Sequence, residues 1–241
     1  MNRLASIAIL LWLCLSALPA HAQSCRQALV LGLDVSLSVD VNEFRLQREG
    51  LARALTDPEV MDAMIGAPDN RVDLAVFEWS GQYNQTLLIG WTAIDNRVTL
   101  RAISDSLFRQ PQGMRSGRTA IGAAMLYARD LLRERPGCAV RTLDLSGDGR
   151  NNNGIAPLRA RRQLAGEGIT VNALTVEPDP ARIVLDRAGA TVLSRYFQDN
   201  VITGATSFVE PITGFDGYGA AIKRKLLREL TPALSWRDAG Q

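Results

Sequence analysis

Ala28-Leu29-Val30-Leu31-Gly32-Leu33-Asp34-Val35-Ser36-Leu37-Ser38 is an apolar run that ends in three oxygen-bearing side chains at alternate positions. The run is short and apolar on both parities, the pattern of a strand buried on both faces, which calls for parallel neighbours and helices on either side. Asp40 followed by Glu43 has the form of a capping box, and Phe44, Leu51 and Leu55 recur at helical spacing. A helix is therefore expected from there to about Thr56.

The same alternation continues along the chain. Asp57-Pro58 opens a short second helix that Gly66 ends, and Val72 to Trp79 reads as a second strand. Ser80 to Asn84 is a turn before Thr86 to Trp91, so these two strands form a hairpin at one edge. Asp95 caps a helix reaching about Phe108. The polar stretch Arg109 to Arg118 leads into a helix from Thr119 to about Arg133, stopped by Pro136-Gly137. Ala139 to Ser146 and Ile169 to Val176 are strands flanking a helix that ends near Glu167, Ser207 to Ile212 is a last strand, and Ala220 to Leu230 a last helix. Repeated strand–helix units imply an α/β fold: a doubly wound, mostly parallel sheet with helices on both faces and one antiparallel edge strand. Ligands of such sheets bind at the carboxyl ends of the strands, where strand order reverses.

Met1-Asn2-Arg3, the apolar stretch from Leu4 to Leu18 and the small-residue pattern Ala20-His21-Ala22 read as a signal peptide over residues 1–22. Residues 23–241 then form one domain, periplasmic or secreted, with no later stretch apolar enough to span a bilayer. The residues before Cys14 and Cys25 do not match a lipoprotein cleavage box. Cleavage removes His21, the only histidine, and with it the Ser-His-Asp, Cys-His and His-ligated zinc chemistries. The net charge of +2 falls to +1 with Arg3, which speaks against nucleic-acid binding through bulk charge. Two cysteines remain, Cys25 and Cys138, an even number for an oxidising compartment.

Asp34, Ser36 and Ser38 offer only oxygen donors on one tight turn, which suits a hard cation, although isolated Asp and Ser after a strand are commonly turn formers or caps. Two further segments add to them: Gly117-Arg118-Thr119-Ala120-Ile121-Gly122 brings a hydroxyl and Leu145-Ser146-Gly147-Asp148-Gly149 a carboxylate. Asp-x-Ser-x-Ser, a distant Thr and a distant Asp-Gly, in this order, resemble the metal-ion-dependent adhesion site of von Willebrand factor A domains. The resemblance extends in element order over the mature chain. It is closest to an exported bacterial family of unknown function marked by Ser-Gly-Asp-Gly followed, one residue on, by Asn-Asn, here Ser146 to Asn152.

The resemblance implies a site for one Mg²⁺ or Mn²⁺, with Ser36, Ser38 and Thr119 as direct ligands, Asp34 and Asp148 acting through water, and a partner's carboxylate completing the shell. Gly147 departs from the usual Ser/Thr-Asp-Gly by separating Ser146 from Asp148, which makes Asp144 a second candidate. Asp144 and Ser146 then stand behind the site as supporting residues, and the plain reading of Asp144 is a buried carboxylate paired with a backbone donor. In this fold the strands that follow Cys25 and Cys138 are neighbours, so a Cys25–Cys138 disulfide is expected at the end opposite the metal. Arg109, Arg115, Arg118 and Arg150, with Trp79 and Tyr83 from the hairpin, form a basic, aromatic rim suited to an acidic protein, a saccharide or another carboxylate-bearing partner; loop arginines are also commonly just solvated, and Trp79 can be core. Arg159, Arg161 and Arg162 read as an exposed helix face. The functional expectation is a metal-dependent binding module. Its alternative is a Mg-dependent hydrolase built on Asp34, Asp144 and Asp148; for that reading no general acid or base and no P-loop are recognisable.

Overall fold

The computed structural model describes residues 25–66, 70–110, 116–177 and 191–230. The signal-peptide reading, His21 and Arg115 lie outside these residues. The described elements are β1 (Cys25–Asp34), α1 (Val41–Leu55), α2 (Pro58–Ile65), β2 (Arg71–Trp79), β3 (Gln85–Ile94), α3 (Arg97–Arg109), α4 (Ile121–Arg133), β4 (Val140–Gly147), α5 (Pro157–Gly166), β5 (Thr170–Glu177), α6 (Val192–Asn200), β6 (Val209–Thr213) and α7 (Tyr218–Leu230).

The six strands form one sheet in the order β3-β2-β1-β4-β5-β6, parallel throughout except for the β2–β3 hairpin at the edge. Strand order reverses between β1 and β4, so the ends of these two strands, Asp34 and Gly147, face the crevice where this architecture binds ligands. Side chains alternate along each strand. Leu29, Leu31 and Leu33 enter the apolar core that includes residues of α1, α2, α3 and α7, whereas Ala28 and Val30 enter the one that includes residues of α4, α5 and α6. Gly32 sits where a β-carbon would come within 2.8 Å of Leu145 and the Phe77 ring, so only glycine lets β1 pack between its neighbours here.

Local chemistry explains the element ends. The capping box at the start of α1 is present in both directions, with Glu43 N–H donating to Asp40 Oδ1 at 2.8 Å and Asp40 N–H to Glu43 Oε2 at 2.7 Å. Helix α3 is capped by Asn96 and not by Asp95, because the Asn96 carboxamide oxygen reaches the N–H of Thr99 three residues on. Strand β3 continues past Trp91 to Ile94. Its pairing with β2 slips between Thr92 and Ile89, and the resulting bulge breaks the alternation that marks a strand in sequence. Helix α4 starts at Ile121, later than Thr119, since the backbone there is committed across the loops: Ala120 N–H donates to Ser80 O at 2.7 Å and Thr119 O accepts from Asn152 N–H at 2.9 Å.

Cys25 and Cys138 form the expected disulfide, with their α-carbons 4.5 Å apart and a sequence separation of 113. It ties the start of β1 to the segment entering β4, at the opposite end of the sheet from Asp34.

Candidate functional site

At the carboxyl end of β1 the chain turns sharply, and the Ser36 N–H closes the turn onto Asp34 Oδ1 at 2.8 Å. That turn lays Ser36 Oγ 2.9 Å from Ser38 Oγ, and the Ser38 hydroxyl donates to Asp148 Oδ1 at 2.9 Å. Asp34 and Ser36 are buried, Ser38 is exposed, and Asp148 lies between. Asp34 Oδ2 is buried and has no hydrogen-bond partner of good geometry.

The electrostatics follow from this crowding. Burial, then the charge of Asp148, push the Asp34 carboxyl up to about 8, against hydrogen bonds from Ser36 and from the Asp148 N–H that pull it down. Asp148 is also raised, mainly by burial and further by the charge of Glu43, with the Ser38 hydroxyl opposing. Two carboxylates and two hydroxyls therefore share a confined space. Gly147 keeps that space open, since a β-carbon there would stand 3.5 Å from Asp34 Oδ2 and 3.2 Å from the Phe197 ring.

Thr119 is buried and its hydroxyl faces Gly149, where an added β-carbon would lie 3.9 Å away. Its position is set by a device that the periodicity of the sequence does not reveal. Asn152 brackets Thr119, its carboxamide oxygen accepting the Thr119 N–H at 2.9 Å while its own N–H donates to Thr119 O at 2.9 Å. Asn151 accepts from Gly122 N–H at 3.3 Å in the first turn of α4, a helix without a side-chain N-cap of its own, and Asn153 accepts from Gln82 N–H at 2.8 Å in the hairpin turn. Three consecutive asparagines thus fasten the Asp148 loop to the Thr119 segment and to the β2–β3 turn. The Asn-rich run after Asp148 was the available signal. The all-oxygen set of Asp34, Ser36, Ser38, Thr119 and Asp148, with an orphaned carboxylate oxygen, suits a hard divalent cation.

Other expected residues fall elsewhere. Asp144 does not join the cluster and its partner is not a backbone donor: it shares the α7-facing side of β4 with Ser146, and Lys225 Nζ lies 2.6 Å from Asp144 Oδ1. Ser146 bonds the Tyr218 hydroxyl at 2.8 Å. The alternation of β4 sends both residues to the α7 face, and only Asp148, beyond the strand, turns to the crevice. The three-carboxylate set of the hydrolase reading is therefore not assembled. Trp79 is fully buried, close to Gly147, and offers nothing to a rim. Tyr83 is 87% exposed, Arg109 and Arg118 are exposed, and the Arg150 guanidinium lies over the Tyr196 ring at 5.3 Å.

The architecture is similar to several solved structures at low identity. Proximal thread matrix protein 1 from the mussel byssus superposes with a TM-score of 0.60 and 18% identity over 86% of this chain and 46% of its own. A further structure of it, described as having a zinc-occupied MIDAS motif, gives 0.59 at 18% over the same shares. A von Willebrand factor type A protein from Catenulispora acidiphila gives 0.59 at 13%, over 86% and 43%, and the pilus adhesin SpaC from Lactobacillus rhamnosus GG gives 0.62 at 15%, over 84% and 30%. The chain spans less than half the length of each, and the likeness is one of fold. Among curated proteins there is no match. A family model spans all of the described residues, from residue 24 to residue 234, and the chain belongs to that family, described as Protein of unknown function (DUF1194).

Proposed function

We propose that this protein is an exported binding module that engages its partner through one divalent cation, Mg²⁺ or Mn²⁺, at the end of β1 and β4. Ser36, Ser38 and Thr119 would hold it directly, with Asp34 and Asp148 behind water. The observation that carries this reading is the convergence of Asp34, Ser36, Ser38 and Asp148 through contacts of 2.8 to 2.9 Å around a buried carboxylate oxygen with no partner of good geometry. When bound, the cation supplies a Lewis-acidic point with an open position for an outside carboxylate. Neutral hydroxyl ligands leave much of its charge for that purpose. The zinc-occupied motif of the mussel protein, which shares this fold, supports metal occupancy of such a site. The disulfide supports an oxidising compartment, and among the described residues no helix is long and apolar enough to cross a membrane.

The partner is an acidic protein or another carboxylate-bearing ligand and not a nucleic acid. Exposed Arg118 and Tyr83 stand in the loops beside the cluster, where a basic residue speeds encounter with an acidic surface. Binding is favoured over hydrolysis because Asp144 is engaged by Lys225, away from Asp34 and Asp148. The test is thermal unfolding and calorimetry of the exported chain with Mg²⁺ or Mn²⁺, then capture from envelope extract with metal and with chelator. Metal should raise the midpoint in the wild type and not in Asp34→Ala or Thr119→Ala. An unchanged midpoint at millimolar metal, with no heat, refutes the metal site. Turnover of phosphate esters that Asp148→Asn abolishes refutes the binding role.

A further inference from the structure

From Gly149 to Gly166 the chain carries four arginines, Arg150, Arg159, Arg161 and Arg162, and no aspartate or glutamate. Pro157, Ala160 and Leu164 turn one side of α5 to the core, which leaves Leu158, Arg159 and Arg162 exposed on the other. Helix α6 continues this surface: the Arg161 guanidinium donates to Asp199 O at 2.7 Å, and the exposed Arg150 lies over the Tyr196 ring. Val192, at the start of α6, is 39% exposed and Leu158 38%.

The charge of this face is not balanced within the chain. Arginines elsewhere meet carboxylates, as in the Arg45–Glu49, Arg71–Asp73, Arg133–Glu167 and Arg224–Glu210 pairs. Among the described residues none of the four on this face has an ion pair. Helices α1 and α2 carry Glu43 and Glu59 in their first turns, whereas α5 has no acid there and carries Arg159, a cation at the positive end of the helix. Arg159 and Arg162, three positions apart, repel each other as well. Negative charge outside the chain would relieve both penalties. A small anion needs donors that converge, and these stand on the convex outer face of a helix, which an extended anionic surface can meet. Leu158 and Val192 decide what kind of surface that is. Guanidinium groups take phosphate oxygens bidentately, while apolar side chains beside them enter the boundary between headgroups and acyl chains.

We propose that the outer face of α5, with the start of α6, docks on an anionic phospholipid surface: Arg150, Arg159 and Arg162 meet headgroup phosphates, and Leu158 and Val192 enter the headgroup–acyl boundary. Arg150 is two residues from Asp148, so docking holds the oxygen cluster near the bilayer. The contact itself needs no cation.

The experiment is co-sedimentation of the exported chain, disulfide intact and chelator present, with vesicles of phosphatidylcholine alone and with vesicles of phosphatidylcholine and phosphatidylglycerol in equal parts. The mixed vesicles should bind the protein and the neutral ones should not, with binding weakening as salt rises. Arg159→Ala/Arg162→Ala removes two repelling charges from exposed positions and should melt no lower than the wild type, yet bind the mixed vesicles about thirtyfold more weakly, the equivalent of about 2 kcal/mol. Arg101→Ala, exposed on α3 across the sheet, should bind as the wild type does. No binding to the mixed vesicles overturns the proposal, as do equal binding to both kinds, undiminished affinity in the double variant, or an equal loss in Arg101→Ala. Tighter binding to poly-L-glutamate than to vesicles of the same total charge assigns the face to an acidic protein and also overturns it. Because chelator is present throughout, these results stand or fall apart from the cation site.

Discussion

Metal binding at the end of β1 should release a proton, and the pH at which release stops is set by Asp34. Burial and the charge of Asp148 push that carboxyl up to about 8. Below that pH a cation must displace the proton, so the apparent affinity should fall about tenfold, or 1.4 kcal/mol, for each pH unit, and level off above it. The assay is calorimetry in Pipes and in Tris, whose different ionisation heats report proton release: about one proton at pH 6.5 and close to none at pH 9. Stability gives an independent reading with a definite sign. An acid raised on folding stabilises below its unfolded pKa, near 4, and loses that contribution as pH climbs to the folded value. Without metal, the melting midpoint should therefore decline between about pH 4 and 8 through Asp34; saturating metal, which favours the ionised carboxylate, should flatten or reverse the decline. Asp34→Asn should remove most of both effects and leave the share that comes from Asp148, which burial also raises. Equal heats in the two buffers at pH 6.5, or an affinity independent of pH from 6 to 9, would refute the idea that Asp34 and the cation occupy the same site.

Other outcomes follow from single contacts. Asn152→Ala leaves the Thr119 N–H without its acceptor and should cost about 1–3 kcal/mol by denaturant unfolding; calorimetry should show metal affinity lowered by roughly tenfold, as for groups that orient ligands. Cys25→Ala/Cys138→Ala opens a loop spanning 113 residues and should lower stability by up to about 4–5 kcal/mol on chain entropy, with metal binding in the folded fraction unchanged. Lys225→Met strands two buried carboxylates and should cost about 3–5 kcal/mol in urea at pH 7, whereas Asp144→Leu/Lys225→Met/Glu229→Leu should recover most of it. Arg118→Ala should lower the association rate of a captured acidic partner more at low salt than at high salt, read by surface kinetics.

The fold was legible wherever a local rule acts alone. The apolar run before Asp34, the Asp40/Glu43 box and the hairpin turn each act within a few residues, and each appears in the structure where its residues stand. Misplaced boundaries occur where a contact distant in sequence overrides the local pattern. Thr119 looks helical, yet its backbone is held by Asn152, and β3 looks finished at Trp91, yet it resumes beyond a bulge. The same reason hid the partner of Asp144. Lys225 lies 81 residues away in sequence on a helix whose apolar spacing, Ala221, Ile222 and Leu226, gives no hint that its inner face also carries charge. Polar pairs across the core have no period, so pattern reading cannot assign them.

The resemblance to the metal-ion-dependent adhesion site expects Ser/Thr-Asp-Gly, whereas here Gly147 stands between Ser146 and Asp148. Strand β4 includes Gly147, and β1 and β4 keep strict parallel register up to the Gly32–Leu145 pair, which sets Gly147 beside Asp34. Any side chain there would enter the wedge formed by Phe197, Trp79 and Asp34 Oδ2, all within 3.6 Å of a β-carbon. Glycine lets the strand run one residue further with no side chain in that wedge. The chain leaves the sheet only at Asp148, whose carboxylate lands on Ser38. Burial of Trp79 is the counterpart of the same arrangement, because its indole packs against the face that Gly147 leaves bare. A shift of one residue in sequence is thus absorbed by the strand end, and the carboxylate still arrives beside the β1 turn. The asparagines that follow then hold its loop against Thr119 and the hairpin, so the oxygen cluster is held in place by hydrogen bonds among the chain's own residues.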